Sequence, residues 1–216
     1  MKPITIRPLL CGSAPTIVAL LVSMTQSAWS APPVGSEFVI DPDDYAHTQV
    51  LNTVLPHVTL STGAFSDNRP TFDVVAYTEA ADASTGTKVF AHAGGIPFWN
   101  TSRTFRMDFH SLVTRIQLDY IGSGFFDNSY QGRLEAYSSA GVLLDSYLTA
   151  PVSEGQFETM TVEAPQIAWA LAYPPEDPFG DLDYLRFTVV PEPATVALVA
   201  LAAWGGVFVR WRRTNG

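Results

Sequence analysis

The side chains that could do chemistry in this 216-residue chain are four histidines, a large excess of carboxylates and a few aromatics beside turns. His47, His57, His92 and His110 are dispersed, and none falls in a His-Glu-x-x-His spacing that would put two imidazoles on one metal. No Gly-x-Ser-x-Gly elbow, phosphate-cradling loop or dinucleotide fingerprint occurs. Twenty acids between residues 31 and 190 guarantee some pair at glycosidase spacing by chance, so such a pair argues nothing for hydrolysis. Two acid clusters in turn-rich segments, Asp41-Pro-Asp43-Asp44 and Glu176-Asp177 with Asp181-Leu-Asp183, carry the hard oxygens that Ca²⁺ selects. Asp181 and Asp183 are the candidate metal ligands, and calcium is the one cofactor the sequence suggests. Trp99, Phe125, Phe126 and Tyr130 sit next to turns and could offer apolar faces to sugar rings.

The elements that must position these residues read as strands. Phe105-Arg-Met107-Asp-Phe109, Ile116-Gln-Leu118-Asp-Tyr120, Met160-Thr-Val162 and Leu185-Arg-Phe187-Thr-Val189 alternate apolar and polar residues, the period of a sheet with one wet face. Ile167-Ala-Trp169-Ala-Leu171-Ala-Tyr173 alternates large residues with alanine, which suits a strand covered on both sides. Turn residues punctuate these runs at Gly122-Ser-Gly124, Asp127-Asn-Ser129, Ser153-Glu-Gly155 and residues 173–180. Leu134–Tyr137 and Val142–Leu144, joined by Ser138-Ser-Ala-Gly141, form a hairpin pattern. Asp41-Pro42 can cap and open a short helix. Short strands at this spacing, with no sustained helical period, predict an all-β, jelly-roll-type β-sandwich over residues 31–190.

Charge divides the chain in three. Residues 31–190 hold 20 acids against seven bases, a net charge of −13, whereas residues 1–30 and 191–216 are basic. A pI near 4.7 argues against nucleic acid as a partner, since binding phosphate requires a basic face. Lys2 and Arg7, the apolar run Pro15–Met24 and Ala28-Trp29-Ser30 before Ala31 have the layout of a signal peptide cleaved between Ser30 and Ala31. Cleavage there removes Cys11, the one cysteine, leaving neither a disulfide nor a thiolate nucleophile. At the other end, Pro191-Glu192-Pro193 precedes sixteen uncharged residues, 194–209, and then Arg210-Trp211-Arg212-Arg213. As a helix the run spans about 24 Å, close to a bilayer core once flanking arginines snorkel. The arginine cluster belongs on the cytoplasmic side, which leaves residues 31–190 outside the inner membrane.

The tail, with Pro191, Glu192 and Pro193, an apolar helix and the cluster Arg210, Arg212 and Arg213, resembles the PEP-CTERM sorting signal of Gram-negative bacteria. That resemblance implies processing by an exosortase-type membrane transpeptidase, export to the cell surface or beyond, and association with exopolysaccharide and biofilm matrix. Phe105-Arg-Met-Asp-Phe109, Gly132-Arg-Leu-Glu-Ala-Tyr137 and Leu182-Asp-Tyr-Leu-Arg-Phe187 also resemble motifs of galactose-binding-like sandwiches. Those domains usually place a second small polar residue after the Asp of the last motif, where this chain has Tyr184. The expected organisation is a signal peptide (1–30), a sandwich (31–190) and a sorting tail (191–213) with a single transmembrane helix. The expected role is that of a non-enzymatic surface or matrix protein. The rival is an exopolysaccharide-binding module, with or without calcium, and a secreted hydrolase stands behind both.

Overall fold

A computed structural model describes residues 35–63, 72–92, 95–122, 130–175 and 180–190, all within the unit Ala31–Gly216. The signal-peptide residues Ser30 and Ala31, the aromatics Phe125 and Phe126, and the tail from Pro191 through Arg213 lie outside the described residues.

The described part is all-β apart from one 3₁₀ turn at Pro42–Asp44. Nine strands run in order: β1 (Ser36–Ile40), β2 (Val58–Gly63), β3 (Val74–Thr78), β4 (Lys88–His92), β5 (Thr104–Gly122), β6 (Arg133–Tyr137), β7 (Leu143–Leu148), β8 (Phe157–Tyr173) and β9 (Gly180–Val189). Every pairing between them is antiparallel, in the path β3-β4-β9-β5-β8-β6-β7, with β1 added on β9 and β2 on β5. The expected hairpin is present as β6 and β7, and the expected short helix is the 3₁₀ turn capped by Asp41.

Alternating runs that look separate in sequence fuse here. Residues 105–109 and 116–120 are two parts of β5, and 160–162 and 167–173 are two parts of β8. Both strands are far longer than the usual five or six residues, and both are interrupted where they pair with each other. Val113 pairs with Ile167 and Arg115 with Glu163, so residues 164–166 stand opposite a single residue of β5. Pro165 lies in that excess and has no N–H to give a ladder. A bulge of this kind bends a strand. On one side of it β5 lies between β2 and β8, and on the other between β9 and β8. The two halves close face to face as the layers of the sandwich: Phe90 of β4 packs against Phe105 of β5 at 4.9 Å between ring centres. Phe109 packs against Phe187 of β9 at 5.2 Å. Trp99, Tyr120, Phe90, Phe105 and Phe187 are the largest fully buried side chains of this core.

β9 changes face part-way. Gln117 pairs with Arg186 and Asp119 with Asp183, so Tyr184 and Leu185 together oppose Leu118. Tyr184 takes φ +49°, a left-handed conformation that costs a non-glycine residue about 1–2 kcal/mol. The bulge reverses the alternation. Leu185, Phe187 and Val189 point into the core after it and Leu182 before it, which sends Asp181 and Asp183 to the outer face.

Candidate functional site

The outer face of β9 is not left to water. The β3–β4 connection, residues 79–87, folds over Gly180–Asp183, and both Asp181 and Asp183 are fully buried. Asp183 ties the connection down. Its Oδ2 accepts the backbone N–H groups of Ser84 and Thr85, both at 3.0 Å, and its Oδ1 accepts that of Tyr184 at 2.7 Å. The Ser84 hydroxyl lies 3.0 Å from Asp183 Oδ2 and 2.8 Å from Oδ2 of Asp119, the residue opposite Asp183 on β5. Thr159 of β8 donates to the other oxygen of Asp119 at 2.6 Å.

Asp41 and Asp43 of one acid cluster and Asp183 of the other meet this one loop, while Glu176 and Asp177 lie outside the described residues. The Thr85 hydroxyl reaches Asp41 Oδ1 at 3.4 Å, and the Thr87 N–H donates to Asp43 at 2.9 Å. Lys88 donates to the Asp43 carbonyl at 3.2 Å. Gly86 (φ +46°) is required where it stands, because any Cβ would collide with the Asp43 carboxylate. Donors therefore occupy the carboxylates of Asp183, Asp119 and Asp43, and these acids act as clamps.

Asp181 differs. Neither of its carboxylate oxygens has a hydrogen-bond partner among the described residues. Burial, and then the charges of Asp82 and Glu79, push its carboxyl up to about 8. Asp183 is pushed up to about 6, again mainly by burial, with Asp41 adding to the rise and the Thr85, Ser84 and Tyr184 hydrogen bonds opposing it. Asp82 is raised as well, by burial and then by Glu79 and Glu154. The site concentrates negative charge around one unsatisfied acid. Among the described residues, no three His, Cys, Asp or Glu side chains converge as a ready ligand set.

Neither described residue of the expected sugar platform, Trp99 or Tyr130, is exposed. Trp99 is fully buried; its indole N–H donates to the Phe90 carbonyl at 2.9 Å, and its ring meets His92 and Phe105 edge-on. Its backbone N–H also bonds the Gly180 carbonyl at 3.0 Å, stitching the 95–103 segment to the start of β9. Tyr130 is buried in a bridge with Val152. Both residues belong to the core, because a large ring next to a turn fills the end of a sandwich as readily as it lines a surface.

An aromatic cluster that sequence reasoning placed inside a covered strand lies instead on the outer face of the β5–β8–β6 layer. Trp169 stacks on Tyr137 at 3.9 Å and 7°, with the Arg106 guanidinium 4.5 Å from its ring centre. Arg106 and Tyr137 come from the strands on either side of β8, so both faces of the indole are covered and neither is open to a sugar ring. Arg106 is itself held by two bonds to Asp108, at 2.7 and 2.8 Å. The histidines stay dispersed apart from one pair. His110 bonds Thr59 and the Pro56 carbonyl near His57, whose imidazole is lowered by burial and then by His110.

No curated protein matches the chain. Among solved structures, the K2 cleaved adhesin domain of Lys-gingipain is similar at 12% identity and a TM-score of 0.43, over 71% of this chain and 100% of that one. The K1 cleaved adhesin domain of Lys-gingipain from Porphyromonas gingivalis W83 is 11% identical at a TM-score of 0.34, over 72% and 99%. A domain described in connection with glycan recognition by the Ruminococcus flavefaciens cellulosome is 12% identical at 0.32, over 74% and 100%. Likeness at this level says nothing about ligand or activity. Among the described residues no helix is long and apolar enough to cross a membrane. The apolar segment 194–209 lies beyond them, inside residues 189–213, which carry the PEP-CTERM protein-sorting motif, the mark of exported proteins sorted by an exosortase.

Proposed function

We propose that this chain is a non-catalytic β-sandwich carried to the outside of the cell and processed at its C-terminal tail by an exosortase-type transpeptidase, for a place on the surface or in the extracellular matrix. The observation that carries the reading is the sorting motif at residues 189–213, joined directly to the last strand of an acidic sandwich. Pro191, Glu192 and Pro193 are the recognition element, 194–209 the membrane segment, and Arg210, Arg212 and Arg213 the cytoplasmic stop. Cleavage between Ser30 and Ala31 removes the export signal. The acidic surface suits life among hydrated, ion-rich matrix polymers, and exopolysaccharide is the expected neighbour. Intact-mass measurement on protein from its native host tests both cuts at once. The expected mature form begins at Ala31 and lacks the apolar tail, whereas material retaining Ala194 through Arg213 would leave a plain membrane anchor.

A second reading concerns calcium. The unpartnered, buried Asp181 supports a weak divalent-cation site beneath residues 79–87 that holds the loop closed. Calcium should then raise the melting temperature at pH 8, where about half of the Asp181 carboxyl is ionised, and should do so much less in Asp181→Asn. No shift at millimolar Ca²⁺ would end this reading.

A further inference from the structure

The sorting motif begins inside the fold. Its first residue, Val189, is the last residue of β9 and pairs with Val113 of β5 on one side and Ser36 of β1 on the other. Val190 is still held, its N–H bonded to the Leu112 carbonyl at 2.9 Å. Four residues, 190–193, separate β9 from the apolar run at Ala194, a reach of at most about 14 Å. The other hydrophobic segment is tethered to the same place. Ser36, across the ladder from Val189, stands six residues after Ser30. Two membrane-directed segments at opposite ends of the sequence are thus attached to neighbouring strands at one pole of the sandwich.

Strand register shows what else lies at that pole. It is the bend of β5 and β8, where Leu112 is 38% exposed and Pro165 interrupts the ladder. β6 runs toward the same bend, because its last residue, Tyr137, pairs with Trp169 of β8. The β6–β7 turn therefore projects past that point; Val142 in it and Leu143 at the start of β7 are 58% and 47% exposed. The charged pair nearest the bend, Arg115 and Glu163, is mutually neutralised at 3.2 Å. The opposite end of β9, about 30 Å away at strand rise, holds Asp181 and Asp183 with Asp119, Glu79 and Asp82 around them. The sorting tail leaves the fold at the bend beside exposed Leu112, whereas the buried carboxylates lie at the other end, where Phe157 is also exposed.

We infer that the pole formed by Leu112, Val142 and Leu143 is a membrane-contacting surface, which rests on the bilayer's outer interface while the tail is still embedded and holds the acidic end away from the anionic lipid. The C-terminal tether sets this orientation, since only residues 190–193 separate Val189 from the apolar run. Exposed aliphatic side chains suit shallow insertion at the headgroup boundary. The inference rests on the proposed anchoring by residues 194–209.

The test uses the full, unprocessed chain in vesicles of phosphatidylethanolamine and phosphatidylglycerol. In a Cys11→Ser background, a single environment-sensitive fluorophore is attached at Leu112→Cys, Val142→Cys or, as the far-end control, Ala81→Cys. Labels at positions 112 and 142 should shift to the blue and lose emission to doxyl-bearing lipids, while the label at 81 is quenched by aqueous iodide alone. Protein that floats with the vesicles but shows iodide quenching at all three positions overturns the inference and leaves the anchor intact. Protein that does not float overturns the anchoring and this inference together. Shielding of 112 and 142 that appears only when a processing peptidase is added overturns the lipid contact in favour of a protein one.

Discussion

Asp119 and Asp183 face each other across the β5–β9 ladder, each with one carboxylate oxygen within 3.0 Å of the same Ser84 hydroxyl. A serine has one hydroxyl hydrogen, so a single shared donor lies between two buried acids. That hydrogen, with the Ser84 and Thr85 N–H groups on Asp183, fastens the 79–87 connection to the sheet.

Ser84→Ala removes the shared hydrogen and leaves the two acids facing one another. The expected loss is about 1–3 kcal/mol, the cost of an unsatisfied buried polar group. It should be larger at pH 8 than at pH 5, because the Asp183 carboxyl, pushed up to about 6, keeps its proton at the lower pH. Urea denaturation at the two pH values measures this, and an equal loss at both would refute the shared-donor arrangement.

Asp181 makes the stability of the domain depend on pH. Its carboxyl titrates near 3.8 when unfolded and about 8 when folded. Between those values the folded state binds the extra proton, so stability is fullest below pH about 4 and declines as the pH rises toward 8. Asp183 acts in the same direction up to about 6. His57 and His92, both lowered chiefly by burial, act in the opposite sense at acidic pH, so the decline due to Asp181 is cleanest above pH 7. Melting temperatures taken in the presence of chelator should fall between pH 7 and 8.5, and Asp181→Asn should flatten that fall and stabilise the fold at pH 8. An unchanged slope in the variant would place the effect elsewhere.

Much of this architecture is legible in the sequence, and the failures have physical causes. Period-two alternation marks β5, β8 and β9, and Ser138-Ser-Ala-Gly141 marks the β6–β7 turn, because those signals are local. The joining of 105–109 to 116–120 is hidden, because what continues a strand through residues 110–115 is its partners on β8 and β9. The acid site is half legible. Asp41, Asp43, Asp181 and Asp183 stand out by type, but Ser84 and Thr85, which hold them, look like any polar turn. Only the Tyr184 bulge decides that Asp181 and Asp183 turn outward under the loop, and nothing in the residue type Tyr announces a left-handed conformation. Trp99 misleads for a related reason, since its position beside a turn does not say which way the ring points.

Trp99→Ala should cost about 3–5 kcal/mol, the usual loss for emptying a large buried aromatic. Trp99→Phe keeps an aromatic ring but leaves the Phe90 carbonyl without its indole donor, for a smaller loss of about 1–3 kcal/mol. Chemical denaturation of both variants checks the order. A Trp99→Ala protein as stable as the parent would mean that the ring is not the core plug described above.

At the acidic end of β9 the fully buried Tyr120 ring lies against Gly180 and Gly132. A Cβ at Gly180 would overlap the far edge of that ring and its hydroxyl, and a Cβ at Gly132 would overlap the near edge. The ring cannot retreat, because it is caught between the two glycines. Its hydroxyl, which burial pushes up beyond the ordinary tyrosine range, stays a neutral O–H. Gly180→Ala therefore forces β9 away from β5 beside Asp181 and Asp183, and overpacking of this kind costs about 1–3 kcal/mol. Tyr120→Leu costs stability by itself through the space it empties, but it removes the ring that the new methyl strikes. The double variant Tyr120→Leu with Gly180→Ala should be markedly more stable than the sum of the two single losses implies. Urea denaturation of all four proteins closes the cycle. Strict additivity would show that the two residues do not meet, and with it would fall the explanation of why glycine stands at the start of β9.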